Sequence, residues 1–110
     1  MARDDGLEEL VREQIGGQPG LTETPMFGGL AWLLDGNLLC AARHDGLLAR
    51  LGKGNDGWAL DRADVVTLKA GRPMPGWVRA GPDAYGEDAF RTELLDRALA
   101  FVRALPPKIP

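Results

Sequence analysis

The 110-residue sequence predicts an α+β sandwich, in which helices pack on an antiparallel sheet of five strands. Apolar residues at a spacing of three and four near both ends of the chain predict amphipathic helices. Short apolar runs separated by Asp-Gly dipeptides predict strands joined by tight turns, and most links between them are too short for parallel crossovers. The predicted order is helix, three strands, helix, two strands, helix. We expect one domain over residues 1–110, ordered over about residues 5–105, with residues 106–110 as a loose tail.

The first predicted helix follows Asp4-Asp5, whose negative charge is favourable beside the positive end of the helix dipole. Gly16-Gly17 ends the helix, because glycine accepts the left-handed conformation of a C-terminal cap. Residues 18–25 are mostly polar residues, Pro or Gly, which predicts a connector. The apolar stripe of this helix consists of Leu7, Leu10, Val11 and Ile15.

The longest apolar segment, Pro25 to Arg43, predicts a β-hairpin. Its two runs, Leu30 to Leu34 and Leu38 to Ala42, are joined at Asp35-Gly36, a dipeptide that supports the positive backbone angles of tight turns. Leu47 to Leu51 is predicted as the third strand. Side chains alternate between the two faces of a strand, and these strands are apolar on both. We expect helices to cover one face and a partner, either a second copy or another protein, to cover the other.

The second half of the sequence predicts a short helix, two strands and a long closing helix. Trp58 to Leu60 form the short helix, and Val65 to Leu68 form the fourth strand. Met74 to Arg79 form the fifth, and Pro75 removes a hydrogen-bond donor from it, so this strand should lie at an edge or begin late. Apolar residues from Phe90 to Leu105 keep helical spacing and predict the closing helix.

Composition is that of an ordinary globular protein, with 45% hydrophobic and 26% charged residues. Cys40 is the only cysteine, which excludes an internal disulfide. The net charge of −3 argues against a surface that neutralises nucleic-acid phosphates. However, Arg43 to Arg79 holds seven Lys or Arg against four Asp, whereas the rest of the chain has six basic and twelve acidic residues. No signal peptide or membrane-spanning run is recognisable, so we expect a cytoplasmic protein.

Residues able to carry out catalysis are few, and we predict no catalytic, metal-binding or cofactor-binding residues. His44 beside Asp45 is a candidate base with an orienting carboxylate, but neighbours in a turn rarely face each other. Cys40 is a candidate nucleophile with His44, but in an apolar strand it is expected to be a buried hydrophobic residue. Asp35 and Asp45 are typical turn residues, so a metal ion would lack ligands.

Three tryptophans, Trp32, Trp58 and Trp77, are candidates for lining a ligand slot. Aromatic residues at this density usually belong to a core, and we expect that role first. Arg72, close in sequence to Trp77, is the exposed residue best suited to a polar contact. The alternative for Arg72 is an ordinary solvated turn arginine.

Several short motifs, each at a turn or a strand entry, occur in an informative order. They are Met26-Phe27-Gly28-Gly29, Asp35-Gly36, Asp45-Gly46-Leu47 and Gly71-Arg72-Pro73-Met74-Pro75 followed by Trp77. With the closing helix they resemble the TfoX N-terminal domain family (TfoX/Sxy-like), over about Leu7 to Leu105. The resemblance implies helices against a curved antiparallel sheet, similar to type III secretion chaperones. In two-domain members, which regulate natural competence, this module precedes a helical C-terminal domain, and we expect the present chain to be a stand-alone module.

From these observations we expect a small, non-enzymatic interaction or regulatory module that forms a homodimer through its apolar sheet face and needs no cofactor. One alternative is a small-ligand-binding protein with a pocket near Trp77 and Arg72. Another is a DNA-associated regulator that uses the basic segment Arg43 to Arg79. A deep apolar pocket with converging polar groups would favour ligand binding, and a flat hydrophobic sheet face would favour the interaction module.

Overall fold

The computed structural model describes residues 4–26 and 28–108. Within these ranges the chain forms helices and an antiparallel sheet of six strands, so the predicted α+β class is confirmed. Phe27, which belongs to the motif before the hairpin, and the last two residues of the predicted tail lie outside the described residues. The elements are α1 (Asp5–Ile15), β1 (Leu21–Met26), β2 (Gly29–Leu34), β3 (Asn37–Arg43), β4 (Gly46–Arg50), α2 (Gly57–Leu60), β5 (Val65–Ala70), β6 (Arg72–Ala80), α3 (Pro82–Tyr85) and α4 (Asp88–Arg103).

The sheet has the strand order β1-β2-β3-β4-β6-β5, and all neighbouring strands are antiparallel. The predicted hairpin is confirmed, because β2 and β3 pair and are joined at Asp35 and Gly36. Both turn residues have positive φ, 51° and 83°, as a type I′ turn requires. The pairing of β2 with β3 shifts between Trp32 and Leu33, and such bulges bend a strand.

The sheet has six strands rather than the predicted five, because the predicted connector contains β1. This strand pairs in register with β2, from Leu21 opposite Leu34 to Met26 opposite Gly29. β1 lies at the edge of the sheet and its residues are half-buried or exposed, so its sequence shows neither an apolar run nor strict alternation. Pro25 is compatible with this position, since the outer side of an edge strand needs no hydrogen-bond donor.

The sequence predicts that the strand containing Pro75 lies at an edge of the sheet or begins late, and the structure differs from both of these outcomes. β6 lies between β4 and β5, so the predicted edge position is wrong and β5 forms the edge. The pairing of β6 with β4 begins only at Trp77, opposite Arg50. Pro75 precedes this pairing, so its missing N–H costs no hydrogen bond with β4. The alternative prediction, that the strand begins late, is also wrong, since β6 begins at Arg72; only its pairing with β4 begins after Pro75.

α1 and α4 pack on one face of the sheet, around Trp32, which is fully buried. Trp32 therefore has the core role that we expected first, and its Nε1 donates a hydrogen bond to Glu23 Oε2 at 3.1 Å. The residues that α1 and α4 contribute to this core are Leu7, Val11 and Ile15 from α1, and Phe90, Leu94, Leu95, Ala98 and Val102 from α4.

Within the described ranges, no helix is long and apolar enough to cross a membrane.

The opposite face of the sheet, called the far face below, holds a second, smaller core. Trp77 on β6 is 8% exposed there, and Ala31, Ala41 and Leu48 are fully buried. The prediction of a partner on this face assumed that its apolar residues are uncovered, whereas side chains of β5 and β6 pack with them. Homodimerisation therefore stays a prediction, and it is no longer supported by an uncovered apolar face. The cluster consists of Ala31, Ala41, Leu48, Leu68 and Trp77, with Leu38 and Met74 partly buried against it.

The described part of the predicted tail contacts the turn between β2 and β3 rather than extending away from the sheet. The backbone N–H of Lys108 donates to the carbonyl oxygen of Asp35 at 2.8 Å. Asn37 Nδ2 donates to the carbonyl oxygen of Pro106 at 2.9 Å. These two hydrogen bonds hold the chain after α4 beside the β2–β3 turn.

Candidate functional site

Basic side chains of the middle segment gather around the far face and the adjoining end of the sheet. Arg79 stands opposite Leu48, and Arg50 lies two residues after Leu48 on the same strand, so all three share one side of the sheet. Long arginine stems cover apolar surface while the guanidinium stays in water, which is consistent with the complete burial of Leu48. We call this group the basic face. It consists of Arg43, Arg50, Lys53, Lys69 and Arg79.

Two depressions lie within the basic face, with volumes of about 310 and 270 Å³. Among the described residues, neither depression is lined by Asp or Glu. Both therefore present positive charge that their own walls do not neutralise. The first is lined by Arg43, Val66, Thr67, Leu68, Lys69 and Arg79. The second is lined by Arg50, Gly52, Lys53, Pro75, Gly76, Trp77 and Phe101.

Asp45 is a carboxylate in direct contact with the basic face. Arg43 Nε and Nη2 donate to its two oxygens at 2.8 and 2.6 Å. Arg79 Nη1 donates to the backbone carbonyl oxygen of Asp45 at 3.0 Å. The hydrogen bond from Arg43 is the largest cause that lowers the pKa of the Asp45 carboxyl below its ordinary value. Asp45 neutralises one cation, and the basic face keeps a positive excess.

Other charged residues of the middle segment are engaged on the helix side of the sheet. Asp64 accepts a hydrogen bond from the backbone N–H of Asp83 at 2.9 Å, at the start of α3. Arg62 forms an ion pair with Glu87 just before α4. Asp64 and Arg62 therefore add no charge to the basic face.

A larger cavity, of about 570 Å³, lies between α4 and the loop that follows β4, and we call it the aromatic cleft. The Arg97 guanidinium carbon lies 4.5 Å from the centre of the Trp58 ring, and Arg97 Nη2 lies 2.6 Å from Glu93 Oε2. On the other wall, the Arg50 guanidinium carbon lies 5.8 Å from the centre of the Phe101 ring. The cleft is lined by Leu51, Gly54, Asn55, Gly57, Trp58, Arg97, Ala100 and Phe101.

Two glycines with positive φ allow the loop to fit between α4 and β6. Gly52 has φ +95°, and a Cβ there would lie 2.5 Å from Phe101 Cε1, so glycine lets the ring reach the loop. Gly76 has φ +89°, and a Cβ there would lie 2.6 Å from the backbone N of Lys53. The loop is thus held on both sides, which fixes the wall shared by the aromatic cleft and the smaller depression at Trp77.

The structure does not assemble the candidate catalytic pairs. Cys40 is fully buried in the core on the helix side, and burial raises the pKa of its thiol. His44 is exposed in the turn between β3 and β4, and the oxygens of Asp45 accept hydrogen bonds from Arg43. The described residues include no cluster of three or more His, Cys, Asp or Glu that could hold a metal ion.

The three tryptophans have different surroundings. Trp32 is core, and Trp77 belongs to the far-face core while lining the smaller depression. Arg72 is exposed and does not line that depression, so a pocket exists at Trp77 but not with Arg72. Trp58 is partly buried and forms a wall of the aromatic cleft. Its Nε1 is buried and has no hydrogen-bond acceptor among the described residues.

Comparisons with known proteins assign no family to the chain. No protein-family model, curated protein or solved structure matches it. The resemblance to the TfoX N-terminal domain family, and the secretion-chaperone-like fold that it implies, therefore stay predictions.

Proposed function

We propose that this chain is a non-catalytic interaction module whose basic face binds an acidic segment of a partner protein. The observation that carries this proposal is the separation of charge: Arg43, Arg50 and Arg79 lie on the far side of the sheet, and Lys53 and Lys69 line the two depressions beside them, although the net charge of the chain is −3. Complementary charge of this kind accelerates encounter and selects against wrong partners. An acidic segment supplies the carboxylates that the walls of the two depressions lack.

Apolar residues among the basic side chains favour a polypeptide over nucleic acid. Val66 on β5 is 46% exposed, and Met74 on β6 lies partly buried against the far-face core. A segment with both acidic and apolar side chains can contact both kinds of group, whereas a phosphate backbone contacts only the cations. Single-stranded nucleic acids bind by stacking bases on accessible aromatic rings, and Trp77 is only 8% exposed.

The edge strand β5 offers a way for such a segment to dock. β5 pairs with β6 on one side only, and Val66 and Lys69 on it are exposed. An extended segment that pairs with the open side gains main-chain hydrogen bonds, and its side chains alternate between the two faces. A lysine on an edge strand also protects against unwanted pairing, so docking requires an acidic segment that neutralises Lys69.

A second copy of this chain is a less suitable partner for the basic face. A two-fold dimer places the same patch of both copies in contact, so the cations of one copy would face those of the other. Like charges in contact are unfavourable. Self-association through any other surface stays a prediction, and sedimentation at micromolar concentration would show it as twice the mass of 11.8 kDa.

Fluorescence anisotropy with a short labelled peptide of alternating Glu and Val tests the proposal. We expect binding that weakens as salt is added, and binding to Lys69→Glu that is about fivefold weaker, for a loss of ~1 kcal/mol. Lys108→Glu is the matched control, since it reverses the same charge beside the β2–β3 turn, away from β5. The same peptide with Gln in place of Glu should not bind.

Three results would contradict the proposal. The acidic peptide does not bind, or Lys69→Glu and Lys108→Glu weaken binding equally, which would show a general effect of net charge. Alternatively, duplex DNA binds more tightly than the peptide and loses affinity in Lys69→Glu, which would replace the protein partner by nucleic acid.

We propose further that the chain is a TfoX N-terminal-like module with a secretion-chaperone-like fold, and that its role is regulatory. The order of elements supports this proposal: α1, then a meander with its turn at Asp35-Gly36, then the β5–β6 hairpin, then the closing helix α4. An antiparallel sheet with both long helices on one face is compatible with the fold that the resemblance implies.

A further inference from the structure

The aromatic cleft has the size and the lining of a small-molecule site. Its volume of about 570 Å³ lies within the range of ligand pockets, roughly 300–1,000 Å³. Trp58 and Phe101 supply aromatic walls, Leu51 adds apolar surface, and Arg97 and Asn55 are polar groups that can fix the orientation of a ligand. We propose that the aromatic cleft binds a planar aromatic anion, that is, an aromatic ring that carries a carboxylate or sulfonate.

The negative charge of the ligand follows from Arg97. Among the described residues, Arg97 is the charged side chain that lines the cleft, and no Asp or Glu lines it. Arg97 is held in place by its cation–π contact with Trp58, by a hydrogen bond from Nε to Glu93 Oε2 and by an ion pair between Nη2 and the same oxygen. Nη1 takes no part in the contact with Glu93 and can donate to a ligand oxygen. An anion therefore meets a cation whose position is already fixed, which reduces the entropy lost on binding.

The aromatic character of the ligand follows from the two rings. Trp58 and Phe101 lie on the same cavity, and Gly52 lets the Phe101 ring pack directly against the loop. Flat aromatic ligands gain from stacked or edge-to-face contacts with such rings. The buried Trp58 Nε1 has no acceptor among the described residues, a condition that costs about 1–3 kcal/mol. The aromatic walls therefore depend on the ring faces and edges of Trp58 and Phe101, and not on Trp58 Nε1.

Anilinonaphthalene sulfonate and phenyl-naphthylamine form a matched pair of probes, because the second lacks the sulfonate of the first. We expect the sulfonate to bind with a fluorescence increase at one site per chain. Arg97→Gln should weaken the sulfonate about fivefold and leave the neutral probe unchanged, since only the charged contact is lost. Arg103→Gln is the matched control on the same helix, outside the cleft, and should change neither probe.

Glu93→Gln separates a binding role of Arg97 from a merely structural one. Glu93 neutralises Arg97, and about half of each side chain is exposed, so the fold should tolerate the change. If Arg97 binds the anion, Glu93→Gln should tighten sulfonate binding about threefold, because the competing carboxylate is gone. If the pair only supports α4, binding should weaken or stay the same.

Further outcomes overturn the proposal. Arg97→Gln has no effect, or it weakens both probes equally, which would show an apolar patch without anion recognition. Sulfonate binding that is lost in Lys69→Glu but kept in Arg97→Gln would place the dye on the basic face. Binding of the acidic peptide does not depend on Arg97, so a failure here and a failure of the docking proposal are distinguishable.

Discussion

Replacing Trp77 with alanine tests whether the far face is a core of the single chain. Trp77 is 8% exposed and packs with Ala31, Ala41 and Leu48, all fully buried. If the chain itself covers this face, removing the ring opens a cavity in the isolated protein. If a second copy normally covers the face, the isolated chain loses little.

The magnitude follows from the buried area. A buried tryptophan removes about 150–250 Å² from water, which at ~25 cal/mol per Å² corresponds to about 4–6 kcal/mol. Alanine keeps a part of this area, and measured Trp→Ala changes in cores cost about 3–5 kcal/mol. We therefore expect the free energy of unfolding to fall by about 3–4 kcal/mol and Tm to fall by more than about 10 °C.

Urea unfolding followed by circular dichroism measures this difference. Val66→Thr is the control on the neighbouring strand, because Val66 is 46% exposed and threonine keeps the branched side chain; its change should stay within about 0.5 kcal/mol. A loss below about 1 kcal/mol for Trp77→Ala would refute the reasoning. So would a stability that depends on protein concentration, because another copy would then complete this core.

Three further predictions concern single residues. Gly52→Ala places a Cβ at φ +95° and 2.5 Å from the Phe101 ring, so urea unfolding should show a loss of about 1–3 kcal/mol; an unchanged midpoint would contradict the packing of the loop. Arg43 lowers the pKa of Asp45, so the stability that this carboxylate contributes is present above its unfolded-state pKa and is lost as pH falls through its folded-state pKa. Asp45→Asn should therefore lower Tm at neutral pH but not in acid, and an equal loss at both would exclude the ion pair as the cause. Burial raises the pKa of the Cys40 thiol, so a thiol reagent should label it only in denaturant; rapid labelling of the native protein would contradict its burial.

The elements that the sequence predicts correctly carry strong local signals. The spacing of Leu7, Val11 and Ile15 is enough to place α1, and Asp35-Gly36 has the chemistry of the turn that the structure contains. β1 has no such signal, because an edge strand with half-buried and exposed residues alternates weakly. Its strand conformation depends on pairing with β2, which is a long-range contact that local patterns do not encode.

The two candidate binding surfaces were harder to predict for the same reason. The basic excess between Arg43 and Arg79 is visible in the sequence, but only strand pairing decides that Arg50, Arg79 and Leu48 share one side of the sheet. Phe101 has the helical spacing of a core residue and is nevertheless only half-buried, at the wall of the cleft. Helical spacing predicts which side of a helix turns inward, but it does not predict how far the core extends along it.

The opposed placement of charge gives the molecule an electric moment. α1, on the helix side, carries four acidic residues and one basic residue, whereas the far side carries the basic face. Near a negatively charged surface the protein experiences a torque that turns the far side of the sheet toward that surface before any atoms are in contact. This effect extends over about 10 Å at moderate ionic strength and shortens as salt is added. In the encounter that we propose with an acidic partner, this torque would turn β5 and its unpaired edge toward that partner.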